Sequence, residues 1–187
     1  MKSSETDILL LAGYEGAGPD HWQTRMASKL STARIVEQPD WLYPTLGDAI
    51  GEVVRAVQDA ARPIVFVTHS AGTSLLAHSI ASLTQLNIID RVKGAFLVAP
   101  PSSRALVDLQ GIDPAFANLP RDPLPFRSVL IASSNDPFAT LEESADLALA
   151  WGAKLIEAGE AGHINTASGH GPWPEGMMSF AGFLSRL

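Results

Sequence analysis

The sequence contains no cysteine among its 187 residues. Disulfides, thiolate catalysis and cysteine-based zinc sites are thereby excluded, and the absence fits a reducing cytosol, the expected location. It also has no basic run. Lys and Arg number 13 against 20 Asp and Glu, a net charge of −7, so nucleic acid and anionic membrane are poor partners. Long hydrophobic runs are missing too. The stretch Ile8 to Ala12 is too short for a signal peptide and follows Glu5 and Asp7, and no run approaches the length that spans a bilayer. With no repeat, linker or low-complexity segment, and a hydrophobic content of 46%, residues 1–187 are expected to form a single domain.

What is present is an alternation of two patterns. Six short apolar runs predict strands at Asp7–Ala12, Arg34–Glu37, Ile64–Thr68, Gly94–Ala99, Ser128–Ser133 and Lys154–Glu157. Such runs suit strands buried on both faces of a parallel sheet. Between them lie stripes at helical spacing: Leu46, Ile50, Val53, Val54 and Val57; Leu75, Leu76, Ile80 and Leu83; and Phe180, Phe183, Leu184 and Leu187. Asp20 and Asp136 read as helix N-caps, with Pro137 at the first helical position. The alternation implies a doubly wound α/β sheet. Pro100–Phe126 breaks the rhythm. It holds Pro100, Pro101, Pro114, Pro120, Pro123 and Pro125 and reads as an ordered loop with at most one short helix, in the position of a small lid.

The first predicted strand runs into "AGYEGAGPD". Gly13, Gly16 and Gly18 are spaced G-x-x-G-x-G, which is wrong for the dinucleotide fingerprint G-x-G-x-x-G. Pro19-Asp20 stands where a phosphate loop requires Lys-Ser/Thr. A glycine loop can instead bring backbone N–H groups close to a reaction centre, as in hydrolases that take one oxyanion donor from an early loop.

The third predicted strand ends in "THSAG". Ser70 stands where strand becomes helix, which is either a helix cap or a nucleophile on a sharp turn. The nucleophile pattern is G-x-S-x-G. Gly72 satisfies its second glycine and Thr68, still small, replaces the first. The acid and base of such a site follow in the order Asp/Glu, then His. Asp136 follows the fifth strand in "SSNDPF". His163 follows the sixth in "EAGEAGHINTASGHGPWPEG" and stands nearer the strand end than its rival His170. His21, His69 and His78 read as structural or surface residues, with His69 turned away from Ser70. If the strand order is 2-1-3-4-5-6, the glycine loop, Ser70, Asp136 and His163 all leave carboxyl ends on one rim, where the order reverses and ligands bind.

Several segments together carry a family likeness: "GPDHWQ" (Gly18–Gln23), "QPDWLYP" (Gln38–Pro44), "THSAG" (Thr68–Gly72), "SSNDPF" (Ser133–Phe138) and "GHINTASGHGPWPEG" (Gly162–Gly176). In them the sequence resembles the small serine hydrolases related to retinoblastoma-binding protein nine, a compact branch of the α/β-hydrolase superfamily. The resemblance implies an α/β-hydrolase-type, mostly parallel six-stranded sheet with helices on both faces and no separate cap domain. It implies a triad of Ser70, Asp136 and His163, and favours His163 over His170. The expected chemistry is hydrolysis of an ester or amide of a small or peptide-like acyl substrate through an acyl-enzyme. Tyr14 and Ala71 would supply oxyanion N–H groups, and no metal or cofactor would be needed. Trp173, Tyr43 and Phe138 are candidates for an apolar acyl pocket, with Trp22 and Trp41 assigned to the core. The alternative is an inactive hydrolase scaffold that binds a protein partner.

Overall fold

The computed structural model describes all 187 residues. Its strands are β1 (Asp7–Leu11), β2 (Ala33–Ile35), β3 (Ile64–His69), β4 (Val92–Val98), β5 (Arg127–Ala132) and β6 (Lys154–Glu157). They form one sheet in the order β2-β1-β3-β4-β5-β6. Every neighbouring pair is parallel, so "mostly parallel" becomes wholly parallel. The α-helices are α1 (Trp22–Lys29), α2 (Leu46–Asp59), α3 (Ala71–Gln85), α4 (Ser103–Asp108), α5 (Leu141–Trp151) and α6 (Pro174–Leu184).

The two-residue period of a strand explains how the sheet is covered. Leu9, Leu11 and Phe66 enter one core, with residues of α2, α3 and α5. Ile8, Leu10, Val65 and Val67 enter the other, with residues of α1 and α6. Neighbours in sequence thus serve opposite layers, which is why these strands are continuously apolar. Each such side chain contributes roughly 1.5–3 kcal/mol by leaving water.

Several boundaries differ from expectation. β4 begins earlier than Gly94 because buried Val92 pairs with Ile64 across a register shift. Neither proposed aspartate caps a helix. α1 is capped by His21, whose ring accepts the Gln23 N–H. α5 starts at Leu141, where Thr140 and Glu143 form a reciprocal capping box. Pro137 therefore lies in a loop rather than in a helix.

Residues 100–126 hold α4 and a 3-10 turn at Pro114–Ala117, two short helices rather than at most one. Leu106, Ile112, Phe116 and Ala117 are buried in the core beneath them. Asp113 accepts the N–H groups of Leu46 and Ala115, Ser74 donates to the Phe116 carbonyl, and Trp151 donates to the Pro120 carbonyl. The segment is part of the packed body and not a flap resting on it.

At the order reversal the ends of β1 and β3 are clamped. Fully buried Gln23 donates through Nε2 to the carbonyls of Leu11 (3.0 Å) and Val67 (3.2 Å). α3 crosses beside them with almost no clearance. A β-carbon on Gly72 would lie 2.3 Å from the Leu11 carbonyl oxygen and 2.6 Å from that of Ala12. Gly51, inside α2, has open space at the same position. Gly72→Ala is expected to cost about 3 kcal/mol or more, or to prevent folding. Gly51→Ala should raise stability by about 0.8–1 kcal/mol. Urea melts of the two variants check both signs.

Candidate active site

β3 hands the chain to α3 through a single residue in a costly conformation. Ser70 has φ 51° and ψ −129°, a left-handed backbone that costs a non-glycine residue about 1–3 kcal/mol. It occupies the N-cap position of α3, yet its hydroxyl caps nothing. Instead Ser70 Oγ lies 2.8 Å from His163 Nε2. The helix-cap reading of Ser70 is thus set aside by where its oxygen goes. Thr68 fits at the first position of the turn because its hydroxyl pairs with that of Thr73 at 2.8 Å, tying strand to helix. The steric demand falls on Gly72.

His163 Nδ1 lies 2.9 Å from both carboxylate oxygens of Asp136. The two side chains are 7% and 3% exposed. A proton on Nδ1 shared with the carboxylate leaves Nε2 free to accept from the serine hydroxyl. Asp136 also accepts the Phe138 N–H, which fixes its own rotamer. Phe138 packs edge-on against the imidazole, with ring centroids 4.5 Å apart. His170 points elsewhere, with Nδ1 3.2 Å from Ser168 Oγ.

The loop carrying His163 is strained and held from several directions. Ile164, β-branched and fully buried, has φ 48°, a genuine outlier for its type. Its carbonyl accepts Trp22 Nε1–H at 2.9 Å, and the His163 carbonyl bonds His69 Nε2 at 2.9 Å. On the other flank Ser133 Oγ accepts the Ala161 N–H, and Asn135 Oδ1 accepts both the Ser133 hydroxyl and the Gly162 N–H. The "SSND" loop, which carries Asp136, therefore also fixes the loop of His163. Sequence reasoning missed Ser133, Asn135, His69 and Trp22 in these roles. Their signal was adjacency to chemical residues in "SSND", "THS" and "HW", with no spacing rule to interpret it. His69 does turn from Ser70, as expected, and its ring holds the His163 backbone.

A cavity of about 480 Å³ opens above Ser70. Gly13, Tyr14, His21, Phe138, His163 and Asn165 are among the residues lining it. Gly13 is needed for close approach, since a β-carbon there would stand 2.9 Å from Ser70 Cβ. The next N–H, of Tyr14, makes no hydrogen bond within the chain. Ala71 is the first residue of α3, so its N–H has no intrahelical acceptor and lies at the positive end of the helix. Of the proposed acyl-pocket aromatics only Phe138 lines this space. Tyr43 is 69% exposed, and Trp173 is buried among core residues with Trp22. Trp41, expected in the core, is only partly buried and lines a small apolar cavity next door with Ala71 and Leu75. His21, expected to be structural or on the surface, has the structural role of capping α1 and also lines the cavity wall.

Comparison with known proteins follows this geometry. Residues 8–182 match the family described as serine hydrolase, and the chain belongs to that family. A YdeN-like hydrolase of Pectobacterium atrosepticum superposes with a TM-score of 0.82 at 25% identity, covering 97% of this chain and 91% of its own. The ydeN gene product of B. subtilis gives 0.73 at 19%, covering 97% and 99%. Thermogutta terrifontis esterase 2, in a structure phosphonylated by cyclosarin, gives 0.70 at 15%, covering 100% and 85%. The last two likenesses concern the fold alone. No curated protein matches the sequence. The fold is that of the α/β hydrolases, and no helix is long and apolar enough to cross a membrane.

Two of the histidines shape stability. Burial, and secondarily the nearness of His163, pushes His21 down to about 4. Burial, then His163 and His21, holds His69 well below the ordinary histidine range. Unfolded histidines take up protons near pH 6.5, so between about 6.5 and 4 the unfolded chain binds more protons than the folded one. Stability must fall as pH falls through that window. His21 alone is expected to cost about 2 kcal/mol between pH ~7.5 and pH ~5. Urea melts across this range should show the decline, and His21→Asn should make it shallower.

Proposed function

We propose that the protein hydrolyses an ester or amide of a small or extended acyl substrate, with Ser70 as nucleophile, His163 as general base and acid, and Asp136 as the orienting carboxylate. The observation that carries this reading is the continuous line from Ser70 Oγ through both nitrogens of His163 to Asp136, at 2.8 and 2.9 Å. His163 Nε2 takes the serine proton as Oγ attacks the carbonyl carbon. Asp136 holds the Nδ1–H tautomer and stabilises the imidazolium that forms. The N–H groups of Tyr14 and Ala71 receive the developing oxyanion. The leaving group takes the proton from His163 and departs. Water then attacks the acyl-enzyme, giving its proton to the same nitrogen and regenerating Ser70. The elbow strain keeps Oγ clear of the helix, so the hydroxyl is spent on the base and not on a cap. The likeness to the retinoblastoma-binding-protein-nine relatives supports the same three residues. The cavity lies open between the glycine loop and the base, with no cap domain over it, which suits small or extended substrates.

Ser70→Ala should lower kcat on a responsive p-nitrophenyl ester by up to ~10⁶-fold, and adding His163→Ala should cost little more. A fluorophosphonate probe should label wild type and not Ser70→Ala. A folded wild-type chain that is neither labelled nor active would identify a binding scaffold instead. Trp22→Phe keeps an aromatic ring but removes the bond to the Ile164 carbonyl. It should lower kcat roughly tenfold through misplacement of the base, while thermal melting shows the fold retained.

A further inference from the structure

One polar atom on the cavity wall has no partner and no part in the proposed proton path. His21 is 7% exposed, and its Nδ1 accepts the Gln23 N–H at 3.2 Å. A ring whose Nδ1 accepts carries its proton on Nε2 when neutral. Burial keeps the ring neutral around pH 7. Nε2–H makes no hydrogen bond within the chain, and the ring lines the same cavity as Ser70 and His163. The rings of His21 and His69 are 4.9 Å apart, as are those of His69 and His163. The donor is therefore part of a buried stack of rings that ends at His163 and not a mobile surface group. A donor positioned in this way and left unpaired is costly to desolvate when a substrate fills the cavity, unless the substrate brings an acceptor.

We propose that His21 is a specificity residue whose Nε2–H donates to an uncharged oxygen of the acyl substrate, so that the site selects oxygen-bearing acyl groups (hydroxy-, alkoxy- or keto-acyl) over plain alkyl ones. This rests on Ser70 being the nucleophile. The wall also sets the charge of that substrate. It carries one carboxylate, Glu15, and no lysine or arginine. Glu15 sits at φ 65°, a left-handed backbone fastened by its N–H to the Trp41 carbonyl at 3.1 Å. An anionic acyl group would meet Glu15 with no cation to offset it, and neutral His21 supplies none. The class selected is thus uncharged or cationic and oxygenated, excluding dicarboxylate half-esters and phosphorylated acyl compounds.

The test compares p-nitrophenyl esters of butyrate, methoxyacetate, 3-hydroxybutyrate and hemisuccinate, each rate divided by the spontaneous hydroxide rate of that ester. His21→Asn and His21→Ser both retain a side-chain oxygen to cap α1, and either serves if the other fails to fold. In them the kcat/KM preference for the better oxygenated ester over butyrate should shrink about three- to tenfold. An unchanged preference, whether the variants slow both esters equally or neither, overturns the role of His21. In Glu15→Gln the ratio of hemisuccinate to butyrate should rise about two- to fivefold, and a constant ratio overturns the charge assignment. If turnover is too slow to measure, alkyl and alkoxyalkyl fluorophosphonates give the same ratios as labelling rates. Hydrolysis or labelling that persists in Ser70→Ala brings down the nucleophile assignment itself. That result is distinct from a Ser70-dependent enzyme showing no oxygen preference.

Discussion

Where α3 passes the end of β1, the backbone carbonyls of Leu11 and Ala12 occupy the space a side chain at position 72 would need. That contact sets the rest. It lets the helix start immediately after β3, so the chain turns within one residue, and Ser70 absorbs the turn at positive φ. A serine in a relaxed N-cap would bond back to its own helix. The strained one cannot, and its oxygen goes outward to His163. The same closeness puts Gly13 against Ser70, and Tyr14, the next residue, lines the same cavity. Packing between strand and helix thus arranges both Ser70 and the groups around it.

The other side of the site is organised differently. No single element presents His163. Its loop is anchored by Trp22 from α1, His69 from β3, and Ser133 and Asn135 from the turn after β5. Trp22, His69 and Ser133 are buried, and the backbone of residues 161–164 satisfies them, which offsets the cost of taking them out of water. Strain at Ile164 persists because several bonds over-determine it. Neutral rings at positions 21 and 69 complete the arrangement, at the cost of acid sensitivity.

Much of this was legible in the chain. Continuous apolar runs separated by helical stripes give a parallel sheet covered on both faces, and short connections leave few strand orders to consider. The glycine loop, Ser70, Asp136 and His163 each follow a strand, so their common rim follows from the topology. What could not be read has physical reasons. Asp136 before Pro137 matches a helix start, but Thr140 and Glu143 form a better cap further on, and the aspartate is engaged by His163 instead. The 100–126 segment lacks periodicity because its helices are too short to show one, yet Leu106 and Phe116 are core residues. Trp22 and Phe138 lie where expected, but Trp173, Tyr43 and Trp41 do not, because size does not tell core from cavity wall. Trp173 and Trp22 pack together at 5.2 Å, while Trp41 remains part-exposed. Trp22 and His69 act through single bonds to distant backbone, a relation with no sequence period.

The loop around His163 is tied to α1, to β3 and to the turn after β5, so it can reach its final shape only after α1 has docked and the β5 turn has closed. A refolding chain can therefore regain its helices, and much of its buried surface, while the imidazole still wanders. Return of the catalytic signal is a stricter gauge of nativeness for this protein than return of ellipticity.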